Sequence, residues 1–264
     1  MFNFDGARLQ QLADRRVGEF AAAEPFPHIV IDDFVEPELI SAINAEFDEI
    51  GKDRTVWQQF ESSAEVKFAL ADITRMGDTT ASVLAAFNCQ PFVGFLEQLT
   101  GISGLVVDPG YSGGGMHEIA RGGVLKMHVD FNLHNDLRLD RRLNSILYLN
   151  DDWDEAWGGH LELWDRDMTA AVVKVVPKAG RLVTFATSEI SYHGHPDPLQ
   201  CPPDRFRRSL ALYYYSNGRP DEEVADRHTT IFKARPGEEI TTRADRIKRW
   251  VPPVFVDVAR RFRR

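Results

Sequence analysis

The 264-residue chain carries 43% hydrophobic and 27% charged residues and no low-complexity tract, the balance of an ordinary globular domain. A net charge of −9 argues against a surface that tracks nucleic-acid phosphates. No apolar run approaches the roughly 18 residues of a membrane span, and the opening MFNFDGARLQ lacks the basic-then-apolar pattern of a secretory signal. Two cysteines, Cys89 and Cys201, stand far apart outside any CxxC spacing and read as reduced thiols of a cytoplasmic protein.

In chain order, PHIVIDDF, beginning at Pro27, reads as a short strand. After Pro37, Leu39, Ile40, Ile43, Phe47 and Ile50 recur at three- and four-residue intervals and predict one amphipathic helix. A second helical stretch is predicted over 79–99, stopped by Gly101. Beyond it the texture changes to eight short apolar runs: MHEIA, VLKMHVDF, LNSILYLN, GHLELWD, AAVVKVV, RLVTFA, RRSLALYYY and HTTIFKA. Gly, Asn, Asp and Pro separate them, which is the signature of a sandwich, barrel or jelly roll. The expected fold is mainly β (α+β): a double-stranded β-helix, or cupin-like jelly roll, over 101–234. An N-terminal strand and helical layer over 1–100 should support it, and the whole chain, 1–264, reads as one domain. The basic segment 235–264 closes the chain; from 241 onward eight Lys and Arg face two Asp, so this tail is +6 and the remainder −15. It reads as a helix or strap with its apolar side on the domain.

The stretch LKMHVDF alternates Leu125, Met127, Val129 and Phe131 against Lys126, His128 and Asp130, so a strand would set an imidazole and a carboxylate on one face. Alone, such a pair is most simply the polar outer face of a strand. GRLVTFATSEISYHGHPDPL, however, offers His193 and His195 at the end of another apolar strand. Two imidazoles and one carboxylate on one face of an octahedron leave three adjacent positions open, the arrangement of non-haem Fe(II) oxygen chemistry. His193 is preferred to His195 because it ends the apolar run before Pro196 and Pro198. Such iron sites draw electrons from 2-oxoglutarate, whose far carboxylate suits an arginine fork. In RRSLALYYYS, Arg207 and Ser209 share a face, with Arg208 the rival guanidinium, and Tyr148 can add a phenol from a neighbouring strand.

Over 113–216 the chain resembles the Fe(II)- and 2-oxoglutarate-dependent dioxygenases, within them the prolyl 4-hydroxylase-like branch, with a weaker likeness in PFPHIVIDDF. HVD resembles the HxD motif, His193 the distal histidine, RRS the Arg-x-Ser clasp, and YLNDDWDEAWGGHLELWD the strand-turn-strand of the oxygen-sensing prolyl hydroxylases. The resemblance implies that His128, Asp130 and His193 hold Fe(II). It implies too that Arg207, Ser209 and Tyr148 grip 2-oxoglutarate while Leu161 lines its pocket, with O2 as co-reactant and ascorbate as an auxiliary reductant. Asp130 favours hydroxylation, since halogenating relatives have Gly or Ala there. The family's tyrosine in the strand before HxD is missing from MHEIARGG, and His117 or Arg121 is expected to replace it.

Expected substrates are a prolyl residue or an amino-acid-like molecule, or else a small-molecule, sugar or natural-product intermediate. Nucleic acid is disfavoured, and the sequence carries no sign of oligomeric state. Asn132 and His134 lie on a rim loop that can touch substrate, although a solvated loop is the default. Trp153, Trp157 and Trp164 read as packing anchors around the GG turn. Two rival readings remain: HGHPD resembles part of the HxHxDH motif of zinc hydrolases, with Pro198 in place of the last histidine, and a jelly roll can serve as a non-catalytic binding module.

Overall fold

The computed structural model describes residues 2–240. Four helices, α1 (Gly6–Ala22), α2 (Pro37–Ile50), α3 (Asp78–Phe87) and α4 (Gln90–Thr100), lie on one side of a barrel. The strands are β1 (His28–Ile31), β2 (Gln58–Glu61), β3 (Glu65–Leu70), β4 (Val106–Val107), β5 (Gly115–Ile119), β6 (Val124–Val129) and β7 (Asp140–Tyr148). They continue as β8 (Leu161–Trp164), β9 (Ala171–Val175), β10 (Leu182–Ala186), β11 (His193–His195), β12 (Arg207–Ser216) and β13 (Ile231–Phe232). The hydrogen-bonded order is β1-β10-β7-β12-β5-β3-β6-β11-β8-β9, with β2 on β3, β4 on β12 and β13 on β6. The strands pair antiparallel, and β3 joins the two halves by pairing with both β5 and β6. This nearly closed barrel is the double-stranded β-helix expected from the sequence.

Strand alternation divides β12 between two environments. Leu210, Leu212 and Tyr214 face the helices and join Phe34, Phe87, Phe92 and Leu96 in the main core. Arg207, Ser209, Ala211 and Tyr213 face the barrel interior. Neighbouring β7 repeats the scheme, with Leu143 and Leu147 outward to the helices and Asn144, Ile146 and Tyr148 inward. The helical layer thus backs the sheet whose other face carries the chemistry; each large apolar side chain it buries is worth roughly 1.5–3 kcal/mol.

Several elements differ from their sequence reading. Helix α1 was not expected: only Leu9, Ala13 and Phe20 of its seventeen residues are buried, too sparse a stripe to register, and Asp5 caps it by accepting from the Ala7 and Arg8 amides. The single helix over 79–99 is two, broken at Asn88 and Cys89. Pro91 at the start of α4 has no N–H to offer a continuing helix, and the Phe87 and Phe92 rings meet across the break at 4.5 Å. The β2–β3 hairpin was likewise not anticipated; its turn is set by Ser62 Oγ, which accepts from the Ala64 and Glu65 amides. No helix among the described residues is long and apolar enough to cross a membrane. The basic tail from 241 lies outside the described residues.

A carboxylate from α2 caps α3. Glu46 accepts from the Thr79 and Thr80 amides at 2.8 Å each and from the Thr80 hydroxyl at 2.6 Å. Partial burial raises its pKa, but these bonds outweigh it and leave the carboxyl below its usual value. A depressed carboxyl contributes stability above its unfolded pKa that is lost as pH falls through the folded one. Glu46→Ala is therefore expected to cost about 1 kcal/mol in urea denaturation at neutral pH. The difference from wild type should vanish in acid.

Candidate active site

The barrel interior holds a cavity of about 210 Å³ lined by β3, β5–β8 and β11–β13. At one end the His128, Asp130 and His193 side chains converge, their potential ligand atoms all within 4.8 Å of one another. Asp130 Oδ1 lies 3.7 Å from His128 Nε2, and its Oδ2 lies 3.4 Å from His193 Nε2. Strand pairing produces this convergence, because His193 on β11 is directly opposite His128 on β6. Each ring also has its tautomer set. His128 Nδ1 donates to the Lys126 carbonyl and His193 Nδ1 to the Ser191 carbonyl, both at 2.9 Å. A carbonyl can only accept, so each Nε2 keeps a lone pair for a cation. Burial, with the His128 ring alongside, pushes His193 down to about 4. Burial raises the Asp130 carboxyl, but the Arg141 guanidinium and the two imidazoles outweigh it and hold the group well below the usual range. Two imidazoles, each with an Nε2 lone pair free, and one carboxylate are a donor set that fits Fe(II).

Two side chains that the sequence reading passed over support this cluster. Asn144 Nδ2 donates to Asp130 Oδ2 at 2.7 Å, and Arg141 Nη2 lies 3.2 Å from the same oxygen. Arg141 also donates to Asn144 Oδ1 from Nε and Nη2, and its guanidinium sits 3.4 Å from the Tyr213 ring centroid and 4.5 Å from that of Phe131. By simple alternation Arg141 would point away from Asn144, Ile146 and Tyr148. A bulge reverses the phase: Tyr214 pairs with Leu143 but Tyr215 with Arg141, leaving Arg142 unpaired between them.

A second bulge corrects the reading of LKMHVDF. His193 pairs with His128 and His195 with Leu125, so β6 spends three residues where β11 spends two. Leu125 therefore turns into the cavity with His128, while Met127 packs outward on Trp164 and Met168. His193 does not end the RLVTFA strand either; β10 stops at Ala186 and β11 begins anew. Gly194 lets β11 approach β6, since a Cβ there would lie 2.7 Å from the Leu125 carbonyl oxygen and 2.9 Å from that of Lys126. Gly194→Ala must push these strands apart and displace His193 from His128. Turnover is expected to fall roughly a hundredfold, with a parallel loss in a direct metal titration.

The other end of the cavity is built by β7, β8 and β12. Ser209 pairs with Tyr148, four residues along β7 from Asn144, or roughly 13 Å. Arg207 is buried; its Nε donates to the Gly159 carbonyl at 2.7 Å and its Nη2 to the Tyr148 hydroxyl at 3.2 Å. Gly159, at φ +73°, accepts this contact where a side chain would strike Leu199 and Arg207. Burial raises the Tyr148 phenol, only partly offset by Arg207, so it stays protonated and able to donate. Leu161 lines the same end.

The remaining candidates separate cleanly. Arg208 points to the opposite face, where it binds buried Glu118 at 2.9 Å and Asp48 at 2.7 Å; it is no part of the cavity. Asn132 does not face the cavity, because its Nδ2 donates to the Asp226 carbonyl and its Oδ1 accepts from the His228 amide, tying two loops together. Arg121 is spent on the Gln200 and Cys201 carbonyls and replaces no missing hydroxyl. His117 does line the cavity and contacts the Gly113 carbonyl; burial, then the Lys67 charge, pushes it well below the usual range. His134 is buried and structural: its Nδ1 accepts from the Asp136 and Leu137 amides, so its Nε2 donates to Asp108. Trp153 and Trp157 pack edge to face beside the GG turn, whereas Trp164 packs elsewhere, on Met127 and Met168. His195 lines the cavity with both ring nitrogens buried and unpartnered. Burial, then the Arg207 charge, keeps it neutral.

Comparison with known proteins agrees with this geometry. Residues 114–215 match the 2OG-Fe(II) oxygenase superfamily. A stretch of 86 residues, 31% of this chain, is 34% identical to mouse prolyl 3-hydroxylase OGFOD1 and spans only 15% of that protein's length. Among solved structures, a Pseudomonas putida prolyl-4-hydroxylase is 20% identical with a TM-score of 0.54, over 78% of this chain and all of that one. A Trichoplax adhaerens prolyl hydroxylase, in complex with a hypoxia inducible factor peptide fragment, is 16% identical with a TM-score of 0.58, over 80% and 91% of the two chains. At such identities these structures bear on the fold, while the family match spans β5 to β12 and includes all three converging ligands. The fold is that of these structures, and the segment that carries the ligand cluster is the one similar to the 2OG-Fe(II) oxygenase superfamily.

Proposed function

We propose that this chain is an Fe(II)- and 2-oxoglutarate-dependent hydroxylase whose substrate is a prolyl residue presented by a peptide. The observation that carries the reading is one cavity with a two-imidazole, one-carboxylate cluster at one end and a buried guanidinium paired with a phenol at the other. His128, Asp130 and His193 would hold the metal, and Arg207, Tyr148 and Ser209 the distal carboxylate of 2-oxoglutarate. When bound, the ferrous ion would activate O2; decarboxylation of 2-oxoglutarate to succinate and CO2 would supply two of the four electrons and the substrate C–H bond the other two, one oxygen atom leaving in succinate and the other entering the C–H bond as hydroxyl.

The protein's part is orientation and exclusion of water. Phe232 packs on the His128 ring at 5.5 Å and Phe185 on the His193 ring at 4.6 Å, shielding both ligands. Arg141 and Asn144 fix the Asp130 carboxylate, and Leu161 and Ile146 offer apolar walls to the methylenes of the cosubstrate. The peptidyl substrate is supported by the local identity to a prolyl 3-hydroxylase and by the fold shared with a peptide-bound prolyl hydroxylase. The reading treats 1–264 as one domain and, on the free thiols of Cys89 and Cys201, places it in the cytoplasm.

The test is succinate release in the presence of proline-containing peptides, with mass spectrometry for a product one oxygen atom heavier. Metal-dependent release coupled to hydroxyproline is expected. Failure of Fe(II)-loaded protein to bind 2-oxoglutarate under anaerobic conditions would instead favour a non-catalytic binding module.

A further inference from the structure

His195 stands two residues, or roughly 7 Å, along β11 from the metal end of the cavity. It lies opposite Leu125, on the side toward Leu161, since the preceding Gly194 pairs with Glu162. It is 3% exposed, and neither ring nitrogen has a hydrogen-bond partner. An imidazole left wholly unsatisfied in a packed barrel is costly unless something in the cavity completes its hydrogen bonds.

The neighbouring clasp is short of donors. A carboxylate presents about four lone-pair sites. Arg207 cannot offer its full fork, because Nε is committed to the Gly159 carbonyl and Nη2 is shared with the Tyr148 hydroxyl. One N–H directed into the cavity from another strand would supply what the guanidinium has given up.

We propose that His195 is a further hydrogen-bond donor to the distal carboxylate of 2-oxoglutarate, beside Arg207, Tyr148 and Ser209. The inference rests on the function proposed above and adds a binding residue to it. Its role would be selectivity for a 2-oxo acid with a second carboxylate, while His193 on the same strand serves the metal.

The test compares two 2-oxo acids by calorimetry on the Fe(II)-loaded protein without oxygen. 2-Oxoglutarate carries the distal carboxylate; 2-oxopentanoate has a methyl group in its place and the same chelating end. His195→Leu is expected to weaken 2-oxoglutarate binding tenfold to a hundredfold, by loss of a hydrogen bond to a charged group, and to leave 2-oxopentanoate unchanged. His195→Asn, too short to reach but still polar, should give the same selective loss and serves if the leucine variant does not fold. Unchanged 2-oxoglutarate affinity would overturn the inference. Equal weakening of both acids would overturn it as well, since His195 would then act through His193. A wild-type protein that binds neither acid when loaded with metal would instead sink the proposed function itself.

Discussion

Asp130→Ala is expected to abolish metal-dependent binding of 2-oxoglutarate and to bring succinate release down to background. The protein should also lose about 3–5 kcal/mol of stability, because Arg141 would keep its buried guanidinium between Phe131 and Tyr213 with no carboxylate beside it. The two effects can be separated. Asp130→Asn keeps an oxygen that can accept from Asn144 and fills the same volume, so it should recover much of the stability and far less of the metal affinity. Urea denaturation of the metal-free proteins measures the first effect, and metal titration the second. An alanine variant that still released succinate on substrate would contradict the ligand assignment.

Arg207→Leu should raise the KM for 2-oxoglutarate roughly a hundredfold, the value of a lost charged hydrogen bond in a site that excludes water, with a smaller change in kcat at saturation. Adjacent Arg208 provides the control. It binds Glu118, whose side chain is fully buried and which also receives Arg54 at 2.5 Å, so Arg208→Leu should destabilise the fold while leaving that KM alone. Steady-state kinetics and thermal denaturation of the pair tell the roles apart. Equal KM effects from both would show that the clasp is not on the face assigned to it.

These two arginines also show what a period of two can reveal. Alternation along RRSLALYYYS placed Arg207 with Ser209 and left Arg208 on the other face, and the barrel has that arrangement. The same logic failed at Leu125 and would have misplaced Arg141, which was not assigned from the sequence, because a bulge inserts one residue and inverts every assignment beyond it. A bulge leaves no mark in hydrophobicity, so the buried guanidinium behind Asp130 was out of reach of the sequence. Helix α1 escaped for a different reason: its stability comes from a cap and three buried side chains, and its moderate apolar content hides both. The metal cluster was legible because its residue types are specific. Asn144 looked like any polar strand residue, and only the fold reveals that it holds Asp130.

The last strand before the tail bears on where the working unit ends. The family match stops at 215, yet Thr230 and Phe232 belong to the cavity wall, and β13 pairs with the rung of β6 that bears His128. Glu238 reaches back to Lys126, and Arg235 to Asp197, fastening this strap at both margins of the ligand-bearing strands. A chain cut after Ser216 would retain every residue of the ligand set and lose the aromatic cover over one of them. Solvent would then reach the ferrous ion from the side, and oxygen reduction without product is the penalty such a truncation should carry.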